Sequence, residues 1–283
     1  MRVRFWQSDK ARERLLAEAF LTGVRIHGDT TDTRSLGEQF TPDCDVAVMV
    51  GVKSKELWKA HARAGIQLVY QDKGYDRHSR SDDIRGWEYW RTAVNGHQPT
   101  SKFRPDYPGD RLKQMGWEFK PWRKEGKQIV IAGSSAKYHN FYDLKDPTDW
   151  STKLIKELND LSPMRPVIYR PKPSWKDAVP IINTTYSGRE QGIMDALRGA
   201  HVLITHGSNA CFEAMLNGVP SIIIGEGVMK PISSRTVNDV ENPRLAADDE
   251  REAVLRFLAY QQWTLSEFAS GEAWQTIRKQ IFE

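Results

Sequence analysis

The sequence predicts an α/β protein of two Rossmann-like domains facing across a cleft, with C-terminal helices crossing back over the junction. Three observations predict it. Short apolar runs alternate with helical-period segments of about ten residues, the pattern of βαβ units and a parallel sheet. The alternation stops over residues 98–127, where Pro99, Pro105, Pro108 and Pro121 break any period, and it resumes at Gln128. At 283 residues the chain also exceeds the usual size of one core.

In the first half, residues 3–6 form a short apolar strand. Residues 11–21 carry Leu15, Leu16, Ala19 and Phe20 at helical spacing, and Gly23 stops that helix. A second strand is expected at 24–27 and a buried one at 45–50. Ser54 caps a helix over 55–64 closed by Gly65, and residues 66–70 form the next strand. In the second half, strands are expected at 129–132, 167–169, 201–205 and 221–224, with helices at 148–161, 189–198 and 209–216. Thr148 is a candidate cap for the first of these, and helices near 248–260 and 264–281 finish the chain. The boundaries are 1–100 for the first domain, 98–127 for a connection, 126–270 for the second domain and 264–283 for a C-terminal helix packing across the junction.

Composition excludes several classes. Hydrophobic residues are 39% and charged residues 28%, with ten Trp, nine Tyr and ten Phe, so disorder is disfavoured. No apolar run reaches the roughly 20 residues of a membrane span. The N-terminus lacks the apolar stretch of a signal peptide, which predicts a cytoplasmic protein. Two cysteines support neither a disulfide framework nor a cysteine-only zinc site. Residues 1–125 hold 23 Lys and Arg against 18 Asp and Glu, while the remainder is balanced at 18 against 19. The excess hints at an anionic partner.

Ligands of parallel α/β sheets bind beyond the carboxyl ends of the strands, so the residues after each strand are the candidates. The dinucleotide and P-loop glycine patterns are missing, as are the zincin and serine-hydrolase motifs. The strongest signal follows the strand at 201–205. His206, Gly207, Ser208 and Asn209 form a small-residue turn into a helix, where free N–H groups and the helix dipole suit phosphate. Glu213, one turn in, can accept both hydroxyls of a ribose. The bland alternative is a capping Ser208 and an exposed helical Glu213.

His206, Gly207 and Ser208, followed by Glu213 and Ala214 and then Gly218 and Pro220, resemble the nucleotide-sugar site of GT-B glycosyltransferases. The capsule-type Kdo and sialyltransferase branch and related phage enzymes are the most similar. Tyr169 to Pro173 resembles a strand-end basic element of that branch, although no His follows Lys172. The resemblance implies a metal-independent glycosyltransferase with a nucleotide-sugar donor, a UDP-sugar, as co-substrate. Gly207 and Ser208 would hold phosphate, Glu213 the ribose, and Lys172 or Arg170 the departing diphosphate. Gly133, Ser134 and Ser135 would approach the donor phosphates from the other side, or else form a plain βα turn.

The acceptor base is expected in the first domain. Asp72, directly after the strand at 66–70, is the first candidate and Asp76 the second, with Lys73, Arg77 and His78 in the same loop. The alternative is an Asp bonded to its own turn or paired with Arg77. Asp29 and Lys53 hold comparable strand-end positions. Residues 98–127 combine eight Lys and Arg with four acids and five aromatics. Arg123, Lys124 and Lys127 could track phosphates while Trp117 and Trp122 stack on bases. Together with the resemblance to phage enzymes, this predicts a hydroxymethylated pyrimidine in phage DNA as acceptor, with a cell-envelope glycan as the alternative. A non-catalytic nucleotide-binding or nucleic-acid-binding protein on the same scaffold is the competing class.

Overall fold

The computed structural model describes residues 1–75 and 89–282. In chain order the first stretch contains β1 (Arg2–Gln7), α1 (Ala11–Ile26), β2 (Thr30–Ser35), β3 (Val46–Val50), α2 (Lys55–Arg63), β4 (Gln67–Lys73) and β5 (Trp90–Val94). Next come α3 (Asp110–Met115), β6 (Gln128–Ala132), α4 (Ala136–Phe141), α5 (Pro147–Leu161), β7 (Val167–Arg170) and β8 (Thr184–Tyr186). The chain then continues through α6 (Ile193–Leu197), β9 (Ala200–Thr205), α7 (Ala210–Leu216), β10 (Ser221–Ile223), α8 (Asp248–Ala259), β11 (Gln262–Trp263), α9 (Leu265–Ala269) and α10 (Glu272–Phe282).

These elements form two compact units, each with its own sheet. Residues 1–102 and the chain from Phe257 onward make the first, and residues 103–256 the second. The boundaries differ from the sequence reading: the second unit begins at Phe103, and residues 257–270 group with the first. Its sheet runs β11-β5-β4-β3-β1-β2, parallel from β2 to β4, with β5 and β11 antiparallel. The second sheet, β10-β9-β6-β7-β8, is wholly parallel. Both are Rossmann-like α/β layers. Among the described residues no helix is long and apolar enough to cross a membrane.

The pleat of β1 explains how the first sheet is covered. Val3 and Phe5 point into a core with Leu16 and Phe20 of α1, while Trp6 points to the opposite face with Leu57 of α2. Trp263, Phe268 and Trp274 join the Phe20 core of this unit. Gly271, with φ of +87°, divides the helix expected over 264–281 into α9 and α10, and β11 precedes them.

Two expectations for the first half fail for connected reasons. Gly23 does not end α1; the helix continues to Ile26 and absorbs residues 24–27, which were expected as a strand. Gly23 instead marks a close approach, because a Cβ there would overlap the carbonyl oxygen of Phe268. The second strand is the polar segment Thr30–Ser35, an edge strand with little to bury. Its Asp32 is tied to the fully buried Arg4, which also pairs with Asp43. Ala is the better helix former by about 1 kcal/mol, yet Gly23→Ala is expected to destabilise by roughly 1–3 kcal/mol through overpacking. Urea melts of the two proteins would check this, and a stabilised variant would refute the packing role.

In the second unit, β6, β7, β9 and β10 appear where the sequence places them. Asp146, not Thr148, caps α5 by accepting the Thr148 amide at 2.8 Å. Edge strand β8 and the short helices α3 and α4 were not foreseen, since none is long enough to show a period.

Candidate functional site

The carboxyl edge of the second sheet gathers the turns that follow β6, β7, β9 and β10. Gly133 after β6 donates its amide to the Arg170 carbonyl at 2.9 Å, and a Cβ on it would press within 3.3 Å of the Pro171 Cα. Two strand ends therefore meet here. Ser134 is buried, and Ser135 caps α4 by accepting the Tyr138 amide at 3.3 Å. Lys172 is exposed just past β7.

Arg170 is placed differently from the expectation. It is buried, and its guanidinium donates to Ser187 Oγ, the Gly188 carbonyl and the Gln191 carbonyl. These bonds pin the loop after β8, so Arg170 shapes the edge, while Lys172 of the same element is exposed.

The turn after β9 is the centre of the cluster. Thr205 Oγ1 donates to the Ala132 carbonyl at 2.8 Å and accepts the Ser208 amide at 2.9 Å, locking β9 to β6. Ser208 Oγ accepts the Ala210 amide at 3.3 Å, and its own O–H can still donate. Asn209 opens α7 with helical backbone and makes no side-chain cap. Gly207 and Gly225 are both required by packing: a Cβ on Gly207 would overlap the Tyr138 hydroxyl, and one on Gly225 would overlap the His206 ring.

His206 is half-buried among aromatic rings. Tyr138 and Tyr142 lie with centroids 5.7 Å away, and Trp150 at 6.1 Å. Burial above all, with His139 and Lys230 adding repulsion, lowers its pKa to about 4 against the attraction of Glu226. The imidazole is neutral at physiological pH. Glu226, after β10, pairs with Lys230 at 2.6 Å. Sequence reasoning missed Tyr138, Glu226 and Lys230; the paired glycines 207 and 225 were the available signal, because both leave room for this cluster. The Glu213 carboxylate oxygens are shut off from solvent. The exposed-helix alternative for Glu213 therefore does not hold, and a ribose would reach these oxygens only after the side chain rotates.

In the first unit, β4 runs on through Lys73, so Asp72 lies inside the strand and not after it. The reason is β5, which pairs antiparallel with β4 and sets Arg91 opposite Asp72. Asp72 accepts from the Tyr70 hydroxyl at 2.9 Å, the Lys73 amide at 2.8 Å and Arg91 at 3.3 Å, and its side chain stays 39% exposed. Desolvation works against its charge, but Arg91, the Lys73 amide and Tyr70 outweigh it and hold the carboxyl below the usual aspartate range. Lys73 is half-buried beside it. Asp76, Arg77 and His78 lie outside the described residues. Asp29 bonds the N-terminal amine and Trp274 Nε1, and Lys53 pairs with the buried Glu13; both are structural contacts.

The nucleic-acid candidates of the connection are corrected by their packing. Trp117 is buried against Phe212, with ring centroids 4.8 Å apart. The half-buried Trp122 donates Nε1 to the Ala246 carbonyl at 2.7 Å and stacks on Arg251. Arg123 donates to the Leu197 and Ala200 carbonyls. Only Lys124 and Lys127 of that group keep exposed side chains.

The chain is similar over nearly its full length to two solved structures of Thermosulfurimonas dismutans KpsC. The β-Kdo 2,7-transferase structure matches at 13% identity with a TM-score of 0.57, covering 97% of this chain and 99% of that one. The β-Kdo 2,4-transferase structure matches at 11% identity and 0.53, covering 90% of each. The fold is GT-B. In GT-B terms, the first unit is the N-terminal Rossmann-like domain and the second, with the His206 cluster, the C-terminal one. No protein-family model and no curated protein matches the chain.

Proposed function

We propose that the protein is a glycosyltransferase that moves a sugar from a nucleotide-sugar donor, a UDP-sugar, to a hydroxyl of a glycan. The observation that carries this reading is the polar cluster at four parallel strand ends of a GT-B C-terminal domain, with His206 and Ser208 after β9 and the exposed Lys172 just past β7.

The chemistry follows from these groups. The bond between the anomeric carbon and the phosphate oxygen breaks, and its electron pair leaves with the diphosphate. Lys172, the Ser208 hydroxyl and the His206 ring are the groups that stabilise the charge developing there. The acceptor oxygen forms the new bond to the anomeric carbon, and its proton passes to a general base, the role proposed for the Asp72 carboxylate. A pyrimidine acceptor in DNA would need base-stacking side chains, and Trp117 and Trp122 are engaged inside the second unit. The likeness to two Kdo transferase structures favours a sugar hydroxyl in the same direction.

Glu213→Ala is expected to weaken nucleotide affinity by roughly 1.5–3 kcal/mol, the range for hydrogen bonds to a charged group. Calorimetric titration reads it, and unchanged affinity in a folded variant removes the ribose role. The decisive experiment incubates the protein with a panel of nucleotide sugars and either saccharide acceptors or hydroxymethylated DNA, and follows nucleotide release. Saccharide-dependent release supports the proposal. Release with DNA alone returns the acceptor to nucleic acid, and no release with any pair refutes glycosyl transfer.

A further inference from the structure

Among the described residues, one hydrogen bond holds the imidazole of His206. Tyr138 Oη lies 3.1 Å from Nδ1, and Gly207 lacks the Cβ that would displace that hydroxyl. Tyr138 itself is buried on α4, so its hydroxyl cannot swing away into water. The ring lies against Gly225. Nε2 makes no hydrogen bond among the described residues, and the residue stays half-exposed at the strand-end cluster.

A phenol O–H is a strong donor toward a ring nitrogen lone pair, and a neutral imidazole has one donor and one acceptor nitrogen. If Nδ1 accepts, the ring proton sits on Nε2. We propose that Tyr138 is a positioning residue that fixes His206 as the Nε2–H tautomer, so that the ring offers a neutral hydrogen-bond donor to a phosphate oxygen of the nucleotide. The proposal rests on the reading of the β9 end as the donor site.

The surroundings agree with a ring that stays neutral. Tyr138 and His139 face it from α4, Tyr142 from the turn after α4, Trp150 from α5, and Glu226 and Lys230 from the segment after β10. Burial, His139 and Lys230 oppose a positive ring more than Glu226 favours one, and the pKa falls to about 4. In the ligand-free protein the ring is therefore neutral at physiological pH.

Nitrogen-15 spectra of histidine-labelled protein test this without any ligand. The His206 signals are identified by their loss in His206→Gln. At pH 7 Nδ1 should resonate as a bare ring nitrogen and Nε2 as a protonated one, with little movement down to pH 6. Tyr138→Phe should mix the tautomers and weaken UDP binding about 2- to 10-fold, the scale of one neutral hydrogen bond. Unchanged signals from the other six histidines would show that the variant is folded. An Nδ1–H tautomer in the parent protein, or an unmixed tautomer in Tyr138→Phe, overturns the proposal. The expected tautomer with His206 signals unmoved by UDP and other nucleoside diphosphates overturns the donor-site reading instead, and the phosphate contact with it.

Discussion

Asp72→Asn is expected to lower sugar transfer by about 10²- to 10⁴-fold while nucleotide-sugar binding survives, because the amide keeps the shape and loses the basicity of the proposed acceptor-side base. The carboxylate is also held by Arg91, the Lys73 amide and Tyr70, so its protonation has a defined sign. Its folded pKa lies below the ordinary 3.8, which means the charged form is retained as pH falls past the unfolded value and is lost only at more acidic pH. The acid limb of kcat/KM should accordingly lie below about pH 4. Arg91→Gln should move that limb upward, since it removes the nearest positive charge. Asp76→Asn is the control: if it abolishes transfer and Asp72→Asn does not, the base is Asp76. If neither matters, the proton goes elsewhere, for instance to the leaving phosphate.

Arg251→Ala is expected to be the most damaging single change to the second unit. Arg251 is fully buried on α8, with its guanidinium between Phe119 at 4.0 Å and Trp122 at 3.9 Å. It donates to the Lys120 carbonyl at 2.7 Å, the Met215 carbonyl at 3.0 Å and Asp248 at 3.0 Å. The side chain thus fastens the connection after α3 to the end of α7. Truncation removes two charge-assisted hydrogen bonds, at about 1.5–3 kcal/mol each, and opens a void between two rings. A loss of roughly 3–5 kcal/mol follows, or about 10 °C in Tm for a unit of this size. Arg251→Lys should rescue little, because an ammonium neither stacks as a plane nor forks to two carbonyls. Thermal melts read both variants, and a near-parental Tm for Arg251→Ala would show that the clamp carries no stability.

The same arginine shows why the connection was misread. Arg123, Trp117 and Trp122 look like a nucleic-acid stripe in the sequence because basic and aromatic residues alternate there. Nothing local reveals that Arg123 meets Leu197 and Ala200, that Trp117 meets Phe212, and that Trp122 meets Ala246 and Arg251, each more than 70 residues away in the chain. Asp72 was singled out for an expected position just after a strand, and its actual setting inside β4 was hidden. Arg91 lies 19 residues further on and meets it only through antiparallel pairing. Gly23 read as a stop because glycine weakens helices, whereas its role depends on where Phe268 passes.

What the sequence by itself determined is whatever repeats locally. Apolar runs with a small-residue turn after each one specify parallel α/β units, and so mark β6, β7 and β9 and the turn His206–Asn209 that follows the last. The tertiary structure alone decided the setting of the side chains at these strand ends. Arg170 is consumed by the loop after β8, and His206 is kept neutral above all by burial, with His139 and Lys230 adding repulsion. Those outcomes depend on burial and on contacts between distant segments, and both are properties of packing rather than of local residue order.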